Sequence, residues 1–346
     1  MTLRFATKDE CTTWDDKILA NPDGGNIFQG AVFAELKQRS GWTPRYIVGE
    51  AIVITVLEKK VPLLGKLWYL PKGPGVTTVR ALGDVLDELR TFSRQNGVFL
   101  VKIEPELLKE DETLVDLMKL ELIRSVPIQP NFSTVLIDLS PDLEGVMASL
   151  NQKGRHAIRR AERDGVLVQA VETNDENCRT MYDLFSTTAE GSFRIRSYDY
   201  YKAFWQTYSE RNQGQLFFAY ADGQLVAGAY ALIYGTKSTY KDGASVRERN
   251  VYGASHLLQW RVIEWAKSQG STVHDLCGVP PLDQISNPKH PHYGLGRFKT
   301  SFNKTVTEYV GVYDMVISPH GYNLWKKLGE RVVVSLHNRR FRENYY

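Results

Sequence analysis

Apolar and polar positions follow one order twice along this chain. In the second half, QLFFAYA (215–221), VAGAYALIY (226–234) and STYKDGA (238–244) read as three strands, the first two joined by a tight turn at Asp222-Gly223. Apolar residues then recur at helical spacing over 253–269, Gly270 stops the helix, and STVHDL (271–276) returns as a strand. In the first half PRYIV, AIVITVLE and KLWYLP supply the strands, with the turn at Gly49-Glu50; a helix follows over 80–95, and after Gly97 comes VFLVKIE. Near the end, 304–317 reads as two short strands and 321–341 as a helix that folds back onto the first half.

A three-stranded meander, a helix and a returning parallel strand make the core of the N-acetyltransferase fold. The chain is therefore expected to be α/β (α+β), with two tandem acyl-CoA N-acyltransferase (GNAT)-like domains and a cleft between them. The Ser-Pro break at 140–141 sets the expected boundary. The first domain comprises 1–140 plus 312–346, and the second 141–311. That architecture points to acyl transfer onto an amine.

Composition narrows the class without choosing the substrate. With 346 residues, 42% hydrophobic and 24% charged, the chain can bury two ordinary cores. No apolar run is long enough to span a bilayer and the N-terminus lacks an apolar signal core, so a cytoplasmic location is expected, with a peripheral position at the membrane left open. Cys11, Cys178 and Cys277 are widely spaced, which argues against a disulfide framework. His290, His292, Cys277 and Asp283 are the one cluster that suggests a metal. Their spacing is loose, and no metal is expected. A net charge of +3 leaves nucleic-acid contact to a local patch, and LNQKGRHAIRRAERDGV (150–166) is such a patch, a helix with cations off its apolar stripe, stopped by Gly165. From spacing alone, a solvated helix face opening the second domain is the first reading and a phosphate contact the second.

Both phosphate-binding loops depart from what coenzyme A requires. The second-half loop begins at Arg247 and offers one glycine, Gly253; the first-half loop, YLPKGPGVTTVR, has Gly73 and Gly75 but also Pro71 and Pro74, each lacking an amide donor. The acyl donor is expected to be something else.

IFQGAVFAELKQRSGW (27–42), YLPKGPG (69–75), VKIEPE (101–106), LNQKGRHAIRRAERDGV, the block from TYKDGAS to YGASHLLQWRVIEWAKSQG (239–270) and GLGRFKTSFNKTVTEYVGVYD (294–314) occur in an order that resembles the Fem family of non-ribosomal peptidyltransferases, FemABX. The resemblance spans nearly the whole chain. It implies an aminoacyltransferase that moves an amino acid from aminoacyl-tRNA to a side-chain amine in the stem peptide of a UDP-linked or lipid-linked muramyl pentapeptide, in cell-wall (peptidoglycan) synthesis. Aminoacyl-tRNA is then a co-substrate and no cofactor is implied. Between Trp205 and Leu216 no room is left for the helical hairpin that longer members insert, so the chain resembles the short members, which use the soluble precursor. A monomer that binds no DNA is expected.

The resemblance also assigns residues. Phe298 and Lys299 fall at the transfer site, the lysine facing the acceptor end of tRNA or the tetrahedral intermediate. Lys37, Arg196, Tyr200 and Tyr240 fall on the precursor-binding wall, and Lys153, Arg155, Arg159, Arg160 and Lys304 toward tRNA. Read from spacing alone, Tyr200 and Tyr240 also fit core aromatics, and Arg196, Lys37 and Lys299 ordinary surface cations. Asp275 could orient an amine or cap a loop. Two other classes stay open, a CoA-dependent N-acyltransferase of GNAT type and a non-catalytic RNA-binding protein.

Overall fold

The computed structural model describes residues 3–129, 132–189, 195–246 and 252–341. The chain divides into two compact units, residues 1–132 with 308–346, and residues 133–307.

The first unit is built on β1 (Arg4–Phe5), β2 (Thr43–Val48), β3 (Val53–Val61), β4 (Gly65–Leu70), β5 (Val98–Ile103) and β6 (Ile123–Arg124), with the strand Tyr313–Val316 inserted between β5 and β6. β2 to β4 form an antiparallel meander and β5 pairs parallel to β4. The crossover helix Val79–Gln95 starts where the Thr78 side chain accepts from the Ala81 amide, and it buries Leu82, Leu86 and Leu89 at helical spacing against the sheet. Every residue of β5 is buried, as in a strand covered on both faces. That places Lys102 in the interior. Its ammonium meets Asp314 at 2.5 Å, directly opposite in register on the returning strand, and also donates to Ser125 Oγ at 2.8 Å.

The second unit repeats the scheme with β7 (Leu136–Asp138), β8 (Leu167–Val171), β9 (Gly214–Ala221), β10 (Gln224–Tyr234), β11 (Lys237–Ser245) and β12 (Val273–Asp275), in the order β7-β12-β11-β10-β9-β8. β9 to β11 are the meander, the helix Ala254–Ser268 the crossover, and β12 the returning parallel strand. Leu257, Leu258, Val262, Ile263 and Ala266 bury that helix against the sheet. Gln259 reaches through to His274, which Ser238 holds from the other side, at 2.7 and 2.8 Å. The twofold pattern in the sequence is thus a twofold pattern in the fold.

One detail differs from a simple tandem. The strand beside β5 comes from the end of the chain, and the strand beside β12 is β7, which follows the first unit's own elements in sequence. Each repeat completes its sheet with the strand that trails the other. For this reason the boundary expected near 140 lies instead between Phe132 and Ser133, and that expected at 312 between Thr307 and Glu308. The segment 150–166 holds the helix Gln152–Arg163 behind a separate short helix, Leu143–Ser149, and Gly165 ends it at φ +78°. The tail forms Thr307–Glu308 and Tyr313–Val316, then a helix over 319–341 interrupted by a π turn, Trp325–Gly329. Among the described residues no helix is long and apolar enough to cross a membrane.

Candidate functional site

In the second unit the two parallel strands separate early. β11 and β12 pair at Lys237–Val273, Ser238–His274 and Thr239–Asp275, and there the ladder ends although β11 continues to Ser245. The cause is local. One Asp275 carboxylate oxygen accepts from the Cys277 amide at 2.6 Å and from the Thr134 hydroxyl, an Asx turn that forces Cys277 to φ +64°. The chain then follows Ser133–Val135 instead of β11, with Leu276 and Val279 amides donating to Val135 and Ser133 carbonyls. Of the two roles open to Asp275, the geometry gives it the loop cap.

Lys299 fills this divergence. The stretch GLGRFK closes the helix Tyr293–Lys299, and Gly296 lets that helix sit against Pro280, where an added Cβ would lie 2.9 Å from Pro280 Cδ. Three residues on, Lys299 projects from the same face. Its Nζ donates to the Gly278 carbonyl at 2.8 Å and lies 5.8 Å from the centroid of Tyr240. Burial holds the ammonium below the usual lysine pKa range, with Cys277 and Asp275 pulling the other way. Phe298 packs edge-on to His256 and Phe302, with centroids 5.0 and 5.4 Å away. Its ring therefore packs against the interior of the unit.

Tyr240 is placed by a bulge. The β10–β11 register jumps from Tyr230–Asp242 to Ala231–Tyr240, leaving Lys241 as the extra residue. The Tyr240 ring then lies across Gly243, where any Cβ would overlap its hydroxyl at 1.6 Å, and burial raises the phenol's pKa. Lys241 is 3.2 Å from Asp242 and 5.1 Å from the Phe204 ring centroid. Burial alone would lower its pKa, but Asp242 and then Tyr200 outweigh burial and raise it. Trp205 Nε1 fixes the other Asp242 oxygen at 2.9 Å. Arg196 and Tyr200 do meet, with the guanidinium 4.4 Å from the ring centroid. Ser197 caps the helix Tyr198–Glu210, so Arg196 stands just before the helix and Tyr200 in its first turn.

The first unit has its own buried cations. Lys37, on the helix Ala31–Arg39, is buried with its Nζ 5.4 Å from the Phe33 centroid, so it is no ordinary solvated lysine. Lys72, at φ +49° in the PKGPG turn, lies 3.8 Å from Glu104 and 3.9 Å from Glu106 of the IEPE segment. Glu104 also accepts from the Tyr69 hydroxyl at 2.7 Å and the Gln129 amide at 3.2 Å; burial raises its pKa, with Lys72 the leading opposing influence. The glycines of this turn are already occupied from within. A Cβ on Gly73 would meet Gln29 at 2.8 Å, and one on Gly75 would meet Asp23 at 2.6 Å.

The N-terminus of the helix Ala254–Ser268 is covered too. Gly253, at φ +85°, packs so closely on the helix Gln152–Arg163 that a Cβ would lie 2.2 Å from the Ala157 carbonyl. Residues 247–251, which open the second-half loop, lie outside the described residues. On the helix Gln152–Arg163, Lys153 and Arg159 are exposed, as is Lys304 elsewhere. Arg160 is tied to Asp164 at 2.6 Å, and Arg155 donates to the carbonyls of Ala148 and Leu150, closing the end of the preceding helix. His290 and His292 stand with ring centroids 5.7 Å apart, the His292 amide donating to His290 Nδ1.

Sequence reasoning passed over Lys72, Glu104, Glu106, Lys241 and Asp242. Charges inside otherwise apolar strand patterns were their signal, since such residues enter a core only with a partner.

Residues 148–284 match the family model described as an acetyltransferase (GNAT) domain. The chain is similar to the lipid II:glycine glycyltransferase of Staphylococcus aureus (strain MRSA252), 23% identical over 403 aligned positions that cover 92% of this chain and 94% of that protein. Among solved structures, that of FemX has a TM-score of 0.79 at 20% identity, covering 95% of this chain and 100% of that one. The structure of L-PGS from Bacillus licheniformis has a TM-score of 0.52 at 12% identity, covering 94% and 98%.

Proposed function

We propose that this chain, a transferase of the FemABX family, moves an aminoacyl group from charged tRNA to an amine in the stem peptide of a muramyl pentapeptide precursor. The GNAT-domain match, the glycyltransferase relatives and the shared fold support the family and the transferase class. An aminoacyl ester is already activated, so an enzyme must hold a deprotonated amine near the ester carbonyl and stabilise the oxyanion that forms.

The observation that carries the reading is the placement of Lys299. It is a buried ammonium in the divergence of two parallel strands, hydrogen-bonded to a neutral carbonyl and standing beside Tyr240. A desolvated cation of that kind gains most when negative charge develops next to it. We assign the oxyanion or the acyl donor to Lys299, acceptor binding to Lys37, Arg196, Tyr200 and Tyr240, and RNA phosphates to Lys153, Arg159 and Lys304. The packing of Gly253 on Ala157 and the filled PKGPG turn put the protein's own atoms against these glycines, which supports a donor other than coenzyme A.

The test is a mass-spectrometric assay with mixed charged tRNA and both the UDP-linked and lipid-linked precursors. The expected result is a precursor heavier by one or more aminoacyl residues, abolished by ribonuclease. Transfer that survives ribonuclease and runs on acyl-CoA, or on free amino acid with ATP, overturns the reading.

A further inference from the structure

The helix over 319–341 is anchored on one side and exposed on the other. Trp325, Tyr322 and His337 face inward; Trp325 packs 5.8 Å from the Phe99 ring, the Tyr322 hydroxyl donates to Asp314, and His337 Nδ1 accepts from Lys59 at 2.9 Å. Outward stand Leu324, Leu328, Val332 and Leu336, with 42%, 70%, 54% and 59% of their surface in solvent. At four-residue spacing such a row drifts by about 40° per step on an α-helix. The π turn at Trp325–Gly329 winds more slowly and takes back part of that drift, so the row stays on one face.

A second feature joins it. The β3–β4 hairpin tip carries Leu63, fully exposed at 104%, and the neighbouring Leu64 reaches to 3.6 Å of the Cβ position of Gly329 on the same helix. Five apolar side chains thus protrude from this helix and the hairpin that touches it. Cations surround them. Residues 319–341 hold Lys326, Lys327, Arg331, Arg339 and Arg340 against one acidic residue, Glu330, which Lys326 takes up at 2.9 Å. Lys327, Arg331, Arg339 and Arg340 are exposed, as is Lys60 in the hairpin.

We infer that this helix and hairpin dock on the surface of an anionic phospholipid membrane, with the leucines entering the headgroup boundary and the cations meeting lipid phosphates. Charge selects the occupant. A net excess of exposed lysines and arginines beside protruding leucines fits an anionic interface, and their attraction falls with salt. Docking does not depend on the transferase reading, but it would bring the enzyme to lipid-linked rather than soluble acceptors.

Sedimentation with vesicles of phosphatidylglycerol and phosphatidylcholine, compared with phosphatidylcholine alone, tests the inference. Binding is expected only to the anionic vesicles and is expected to weaken as salt rises. Leu328→Glu and the pair Lys327→Glu with Arg331→Glu should each weaken it by about tenfold or more, the scale of one lost leucine or two lost cations. These exposed sites leave the fold intact, checked by melting temperature, and transfer to the soluble UDP-linked precursor should be unchanged. No binding to anionic vesicles, binding indifferent to both variants, or a wild-type dimer that Leu328→Glu dissociates in sedimentation velocity overturns the proposal. Loss of transfer in wild type with vesicle binding intact would count against the transferase reading alone.

Discussion

The two units solve the same sheet differently at the same place. In the first, β4 and β5 stay paired along their length to Leu70–Ile103, and the Glu104 amide continues the closure by donating to Gly73 O. In the second, β11 and β12 part after three pairs. The buried lysines follow suit. Lys72 and Lys102 meet carboxylates, while the single hydrogen bond described for Lys299 goes to a carbonyl. A buried cation with an acid partner holds structure together; one facing a neutral carbonyl retains attraction for a charge that is not yet there. On this comparison the closed unit is a scaffold at this position, and the open one is where we propose the chemistry.

The largest expected effect is on the scaffold side. Asp314→Ala leaves Lys102 buried without its partner and should cost about 3–5 kcal/mol in denaturant unfolding. A loss under 1 kcal/mol would remove the contrast between the two kinds of lysine. Lys299→Met should do the reverse. Burial already lowers the Lys299 pKa, so the charged form opposes folding at neutral pH, and removing it should leave stability equal or higher. Turnover should fall by about 100-fold or more, the scale of one lost oxyanion donor, with precursor affinity little changed. If precursor binding disappeared while single-turnover transfer stayed near wild type, the roles of Lys299 and the acceptor residues would exchange.

A smaller effect belongs to the acceptor. Arg196→Ala should weaken precursor binding by about 2 kcal/mol through a lost charge-assisted contact, read by calorimetry. Unchanged affinity in Arg196→Ala, Tyr200→Phe and Lys37→Ala would take all three out of the site. The smallest separates the units by pH. Burial lowers His256 to about 4 and His274 to about 3, so both are neutral in the folded second unit. Their contribution is complete above the unfolded histidine value and is lost as pH falls from about 6.5 toward those lowered values, roughly 1 kcal/mol each near pH 5.5. In the first unit burial would raise Glu58, but hydrogen bonds from Trp68 and Arg45 outweigh it and lower its pKa, so its contribution fails only below the ordinary glutamate range. Hydrogen exchange should therefore show the second unit loosening first on acidification. Simultaneous loosening would contradict these assignments.

Periodicity made the repeat legible because each strand and helix of the meander carries its own local signal. The exchange of closing strands was half legible. The return of the tail to the first unit was expected, but β7 is three residues long and its partner, β12, lies more than a hundred residues away, so no local pattern announces the pairing. Within the site, the GRFKTSF motif marked Lys299. The Asx turn at Asp275 that opens the sheet, and the Gly296–Pro280 contact that brings the lysine there, depend on tertiary neighbours. The bulge at Lys241 is likewise invisible in a strand whose alternation looks regular.

The exchanged strands also set an order on synthesis. A ribosome delivers β7 before the rest of the second unit, which then has every strand of its sheet once β12 emerges. The first unit begins earlier and ends later. After β5 its sheet must wait for Tyr313–Val316, roughly 200 residues downstream, or about ten to forty seconds at common elongation rates. Through that interval the flank of β5 that will receive Asp314 stands open, with Lys102 on it and the charge partner untranslated. The nascent chain therefore completes its second-made unit first, and the first-made unit is sealed last.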